Sequence, residues 1–243
     1  ITNGFNKMMF GDFNSSTIKK YSYAASVGDV KIIDTKDRKT VFLELIKNFD
    51  AISVREKELA EFIKDNVDED PLVVLDPTLL LDADEYLPII DTTKLKEKYV
   101  LVYQLSRYPR VIEIARNLSK LYNIKIVEII NNPYEFPRNK SMLFDVSPSE
   151  FLNLIKNAEY VVTNSFHGTA FSIIFKKNFY TVASRSRNSR ITNLLLTLGL
   201  SDRLINENDD EFLSDKINYE EVDVLLSRER ETSINYLKTV LKG

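Results

Sequence analysis

Apolar residues recur along this chain in two rhythms, and the rhythms alternate. Short apolar or alternating runs, the mark of strands, are followed by stretches in which apolar residues return every three to four positions, the mark of a helix with one buried face. KKYSYAAS (19–26) predicts a strand that ends at Gly28, and TVFLELIKNF (40–49) a helix with Phe42, Leu45, Ile46 and Phe49 on one face. DAISVR (50–55) predicts a buried strand, EKELAEFIKDN (56–66) a helix, and LVVLDPTLLL (72–81) a strand that breaks at Asp76-Pro77. The acidic-then-basic stretch 82–98 reads as a linker or short helix. A second series follows: strand 98–105, helix 110–123, strand 124–130, a long loop 131–146, helix 147–158, strand 158–163, helix 168–177, strand 178–184, helix 189–200 and a closing helix over 218–241. The start of the 147–158 helix is well marked, with Ser147 as N-cap, Pro148 at the first helical position and Glu150 three residues after the cap.

Strand and helix in strict alternation predict an α/β protein built of parallel sheets. The two series predict two α/β units: residues 1–92 as part of an N-terminal α/β domain, and 93–217 as a C-terminal one. The closing helix, 218–243, is expected to pack back on the N-terminal domain. Parallel sheets of this kind bind ligands at the carboxyl ends of their strands, which directs attention to the turns that follow them.

Composition narrows the chemistry. The 243 residues carry a net charge of −3, so nothing global favours nucleic acid. There are no cysteines, which excludes disulfides and thiolate metal sites and agrees with a cytoplasmic location. A single histidine excludes a multi-histidine metal centre, and no convincing carboxylate cluster is visible, so neither metal nor cofactor is expected. No signal peptide is visible, and no apolar run approaches the roughly 20 residues of a membrane span. The chain opens ITNGFNKMMF, without an initiator methionine, and reads as if a segment preceded it.

The lone histidine, His167, lies in NSFHGT (164–169), between a strand and a helix. A glycine-containing turn of this kind offers backbone N–H groups and the positive end of a helix dipole to an anion. Gly168 lets a ligand or the neighbouring chain come close, Ser165 and Thr169 add hydroxyls, and His167 can move a proton near neutral pH. The same residues also make an ordinary helix start, with Asn164, Ser165 or Thr169 as the cap. Arg185, Arg187 and Arg190 follow the next strand; they suit phosphate or carboxylate, or else form a solvated loop. Arg190 is the best candidate of the three, because it opens a helix where a cation is otherwise unfavourable. Arg55 ends a strand and either faces a ligand or pairs with Glu56 or Glu58. Asp76, before Pro77, is either a site residue or the start of a plain turn.

The stretches YAASVG, FDAISVREKE, VVLDPTLLLD, KYVLVYQL, NAEYVVTNSFHGTAFSIIFKKNFY and NSRITNLLLTLGLSDRLI resemble, in order, the polysaccharide pyruvyl transferase family. The resemblance implies two Rossmann-like domains facing a cleft, as in GT-B glycosyltransferases, with a further N-terminal βα unit that this chain lacks. It implies transfer of a pyruvyl group from phosphoenolpyruvate to a sugar of a bacterial surface polysaccharide or its lipid-linked precursor, forming a ketal. Peripheral contact with a membrane is compatible with such an acceptor. The family's functional histidine corresponds to His167. Some members carry an arginine two residues before it, where this chain has Ser165, which leaves Arg185, Arg187 or Arg190 to supply the charge. The rival readings are a GT-B-type transferase using a nucleotide-sugar donor and a non-catalytic fragment.

Overall fold

The structure, a computed structural model, describes residues 6–11, 18–93, 97–130, 142–183, 189–206, 209 and 216–242. The chain divides into two compact units. One comprises residues 1–80, 186–193 and 226–243; the other comprises 81–185 and 194–225.

The first unit is built on three parallel strands in the order β1 (Tyr21–Ala25), β2 (Ala51–Val54) and β3 (Leu72–Val73). Helices α1 (Lys36–Ile46) and α2 (Lys57–Lys64) connect them. Ile33, Phe42, Ile46, Ile52, Val54, Leu59 and Ile63 form its core, so the apolar face expected of the 40–49 stretch is the buried one. The helix begins four residues earlier than that stretch, because its first turn, Lys36-Asp37-Arg38-Lys39, is polar and carries no periodic signal.

The strand expected to run from 72 to a break at Asp76-Pro77 is only two residues long. Asp76 stops it: its Oδ1 accepts from the Thr78 backbone N at 3.0 Å and from Thr78 Oγ1 at 2.8 Å, which turns the chain into a 3₁₀ segment over Pro77–Leu80. The last residues of the chain also belong to this unit. Within the long closing helix, Ser233 Oγ accepts from the Leu75 N–H at 2.9 Å, and Tyr236 Oη donates to the Ser22 carbonyl at 2.8 Å.

The second unit opens with a short helix, α3 (Ala83–Tyr86), inside the stretch read as a linker. Its sheet has six parallel strands: β4 (Tyr99–Gln104), β5 (Lys125–Ile130), β6 (Met142–Leu143), β7 (Tyr160–Thr163), β8 (Asn178–Val182) and β9 (Leu204–Ile205). Their order is β6-β5-β4-β7-β8-β9. The chain thus starts in the middle, winds outward to one side, returns to β7 and winds outward to the other. Helices α4 (Pro109–Tyr122), α5 (Pro148–Asn157) and α6 (Phe166–Ile174) connect strands of this sheet.

Two short strands depart from the sequence reading. Residues 142–143 pair with β5 although 131–146 reads as loop, and β9 falls where no strand was expected; two residues are too few to show a period of two. Residues 131–141 of that loop lie outside the described residues. The core of this sheet is Val100, Val102, Tyr160, Val162, Tyr180, Val182 and Ile205, with Val111, Ile114, Ala115 and Leu118 of α4 packed against them. Strands buried on both faces read as continuous apolar runs, as KYVLVYQL and AEYVVT do. The capping box predicted for α5 is present, with Ser147 and Glu150 bonded to each other's backbone N–H. Helix α7 (Ser189–Thr197) and helix α8 (Tyr219–Lys242) each contribute residues to both units.

Candidate functional site

The reversal of winding direction puts the switch point of the six-stranded sheet between β4 and β7, which pair in register from Val100↔Tyr160 to Tyr103↔Thr163. Ligands of open α/β sheets bind in the crevice beyond the strand ends at this point. The turn that leaves β7 there is NSFHGT, and the turn that leaves β4 begins at Leu105.

A network of neutral hydrogen bonds fixes the NSFHGT turn. Thr163 Oγ1 donates to the Tyr103 carbonyl at 2.6 Å and accepts from the Ser165 N–H at 3.0 Å. Asn164 spans the switch point: its Oδ1 accepts from the Leu105 N–H at 3.0 Å and its Nδ2 donates to the Ser106 carbonyl at 3.1 Å. The loop after β4 is thereby tied to the turn after β7. Gln104 anchors that loop further on, accepting from the Tyr108 N–H at 2.9 Å while donating to Glu128 Oε1 at 2.8 Å. Burial holds the Glu128 carboxyl above the usual glutamate range, with the Gln104 bond and the charges of Arg107 and Arg116 opposing that shift.

Ser165 is the N-cap of α6, with its Oγ accepting from the Gly168 N–H at 3.4 Å. The helix starts at Phe166, two residues before the predicted start, because a capping serine followed by Phe-His needs no apolar period to begin. Gly168 serves the neighbouring chain: a Cβ there would stand 2.4 Å from Thr163 Oγ1. Thr169 is fully buried, its Oγ1 donating to the Ser165 carbonyl at 3.0 Å and lying 2.8 Å from Thr181 Oγ1. The Ser165 and Thr169 hydroxyls therefore serve the turn itself. From Ser165 to Thr169 the only exposed side chain is His167, whose ring meets that of Phe166 edge-on at 5.6 Å. The histidine is thus carried on a rigid, sealed support at the positive end of α6, where an anion is favoured.

The other expected site residues fall in the first unit or outside the described residues. Arg185 and Arg187 lie outside them. Arg55 pairs with neither Glu56 nor Glu58 by hydrogen bond; its Nη1 forms a close ion pair with Asp76 Oδ2, and Asp76 is only 4% exposed. Arg190, in the first turn of α7, stands with its Nε 3.8 Å from Glu56 Oε1. That carboxyl helps offset the cost of a cation at a helix start.

Glu56 is the residue sequence reasoning passed over. It follows β2 directly, is 2% exposed, and takes a short hydrogen bond on Oε1 from the Ser26 hydroxyl. Burial pushes its carboxyl above the usual range, against the lowering pull of Ser26, Arg55 and Arg190. In the sequence it looks like an ordinary polar residue at the start of a helix; only the sheet edge reveals its burial. Among the described residues, no three His, Asp or Glu side chains gather as a metal site would require.

The model of the family described as polysaccharide pyruvyl transferase matches residues 3–186. The match contains NSFHGT, Arg55, Glu56 and Asp76, and it stops short of Arg190. No curated protein matches the chain at a significant level. Among solved structures, the chain is similar to the S. aureus MnaA–UDP complex, with 13% identity, 93% of this chain and 68% of that one covered, and a TM-score of 0.52. It is also similar to the UDP-GlcNAc 2-epimerase of Methanocaldococcus jannaschii, with 15% identity, 86% and 63% covered, and a TM-score of 0.50. At such identities the likeness is one of fold: Rossmann-like parallel-sheet units of the GT-B kind. The chain spans about two thirds of the length of these proteins. By the family match across residues 3–186, this chain belongs to the polysaccharide pyruvyl transferase family.

Proposed function

We propose that the protein transfers a pyruvyl group from phosphoenolpyruvate to two hydroxyls of a saccharide, forming a ketal and releasing phosphate. The acceptor belongs to a bacterial surface polysaccharide or its precursor, and the reaction takes place in the cytoplasm. The observation that carries this reading is the sealed turn at the switch point, which presents His167 and no other side chain between Ser165 and Thr169 at the positive end of α6.

The chemistry asks for what this turn offers. One hydroxyl oxygen adds to the central carbon of the enol phosphate while the methylene carbon gains a proton. The second hydroxyl oxygen then replaces phosphate on that carbon. Of the two hydroxyl protons, one ends in the new methyl group and the other leaves with the phosphate. His167 acts as the acid that protonates the methylene carbon. The first turn of α6 receives the donor's anionic end through its backbone and dipole. In this reading the charge that some relatives carry at the position of Ser165 falls to Arg185, Arg187 or Arg190. Arg55, already paired with Asp76, is a further contact for donor or acceptor.

The test is phosphate release and ketal formation from phosphoenolpyruvate with a panel of methyl hexopyranosides, alongside thermal shifts with phosphoenolpyruvate and with UDP-sugars. Stabilisation by phosphoenolpyruvate and ketal product support the proposal. Stabilisation by UDP-sugars alone assigns the protein to nucleotide-sugar chemistry instead.

A further inference from the structure

Strands β4 and β7 stop pairing at Tyr103↔Thr163, and beyond that point their chains part, one toward α4 and the other toward α6. The Asn164 side chain takes over where the ladder ends. Its Oδ1 accepts from the Leu105 N–H at 3.0 Å and its Nδ2 donates to the Ser106 carbonyl at 3.1 Å. A side-chain amide carries the same donor and acceptor as a peptide group, so it can do for two diverging chains what backbone did inside the sheet. The two bonds also specify the residue type. Aspartate has the same size but offers acceptors only, and it would set one of them against the Ser106 carbonyl; alanine reaches neither group.

The parts that Asn164 joins are each held without it. Thr163 Oγ1 accepts from the Ser165 N–H, and Ser165 caps α6. At the far end of the loop after β4, Gln104 Oε1 accepts from the Tyr108 N–H at 2.9 Å, and Pro109 opens α4. Between these held ends Leu105, Ser106 and Arg107 are exposed. Asn164 is therefore not what forms the turn or either helix. What it adds is a fixed relation between the loop after β4 and the turn that carries His167. All of these residues lie in the six-stranded unit.

We propose that Asn164 is a positioning residue for His167: its amide fixes the loop after β4 against the turn after β7, so that a donor held at the start of α6 meets the imidazole in one geometry. This rests on the pyruvyl-transfer reading and adds to it the group that keeps its acid in register. Positioning of this kind shows in rate more than in affinity. A misplacement of about 1 Å can cost about a hundredfold in rate, whereas the α6 backbone that receives the anion stays where Ser165 caps it.

The experiment uses the full chain, phosphoenolpyruvate and the methyl hexopyranoside that serves best as acceptor. Wild type, Asn164→Ala, Asn164→Asp, His167→Ala and the Asn164→Ala/His167→Ala double variant are compared for kcat, for phosphoenolpyruvate binding by calorimetry and for melting temperature. Asn164→Ala is expected to lose kcat by about ten- to a hundredfold while binding phosphoenolpyruvate within about threefold of wild type. Asn164→Asp, which keeps the size and loses the donor, is expected to lose kcat to a similar degree. In the His167→Ala background, Asn164→Ala is expected to cost less than about threefold further, because a residue that acts through the imidazole has nothing left to position. Retention of kcat within about threefold by a folded Asn164→Ala or by Asn164→Asp overturns the inference and leaves the pyruvyl-transfer reading intact. Should the alanine protein fail to fold, the isosteric aspartate decides alone by the same criterion. Losses that multiply in the double variant also overturn it, because Asn164 then acts on the fold or on substrate directly. A wild type that forms no ketal overturns both.

Discussion

The carboxyl edges of the two sheets solve the same problem with opposite materials. In the six-stranded unit, the turn after β7 is held by neutral groups: Thr163, Asn164, Ser165 and Thr169 satisfy one another and the neighbouring backbone, and from Ser165 to Thr169 only His167 is exposed. In the three-stranded unit, the edge is held by charge: Arg55 with Asp76, and Arg190 facing Glu56. Neutral hydrogen bonds build a stiff platform at little electrostatic cost, so a single reactive side chain can be presented with precision. Buried charges cost more to maintain and leave demands unmet, as at Glu56 Oε2.

This contrast can be broken by substitution. Arg55→Ala strips the buried Asp76 of its counter-ion and is expected to cost about 3–5 kcal/mol, read as a lower denaturant midpoint with unchanged slope. Gly168→Ala attacks the neutral edge by sterics alone. Its methyl group would press on Thr163, which is tied to Tyr103 and Ser165, and the expected loss is about 1–3 kcal/mol by the same measurement. If the two costs proved equal and both fell with salt, the assignment of charge to one edge and packing to the other would be wrong.

A third comparison uses pH. The Glu56 carboxyl is raised by burial, so the folded state binds its proton more tightly than the unfolded chain does. Its contribution to stability is fully present below the ordinary glutamate pKa and is lost as pH rises through the folded value. Glu56→Gln removes that loss: its melting temperature relative to wild type is expected to be higher at pH 7 than at pH 4. Glu128, raised in the same direction, is present in both proteins and cancels in the difference. The smallest effect is expected at His167. An exposed histidine at the helix start can be replaced by alanine with a stability change within about 0.5 kcal/mol, measured by thermal melting.

Much of this architecture was legible because burial on both faces leaves a strong mark. KYVLVYQL and AEYVVT announce central strands, and the Ser147-Pro148-x-Glu150 start of α5 states its own capping box. The strands that escaped notice, Met142–Leu143 and Leu204–Ile205, exist only through pairing with longer neighbours. The NSFHGT turn was legible as a passage from strand to helix at a sheet edge, but the duties of its parts were not. That Gly168 makes room for Thr163, that Asn164 ties two loops together, and that Thr169 faces Thr181 all depend on residues distant in sequence. Asp76 shows the same limit: the Asp-Pro turn was visible, and its bond to Arg55, 21 residues away, was not. Glu56 was hidden for the plainest reason, since a glutamate before a helix usually faces water.

The most direct measurement is ketal formation from phosphoenolpyruvate by wild type and by His167→Ala, each confirmed to be folded by its melting temperature. The account predicts product and stoichiometric phosphate from wild type, and a rate lower by about a hundred- to ten-thousandfold in the variant. Near-normal transfer by a folded His167→Ala protein would contradict it.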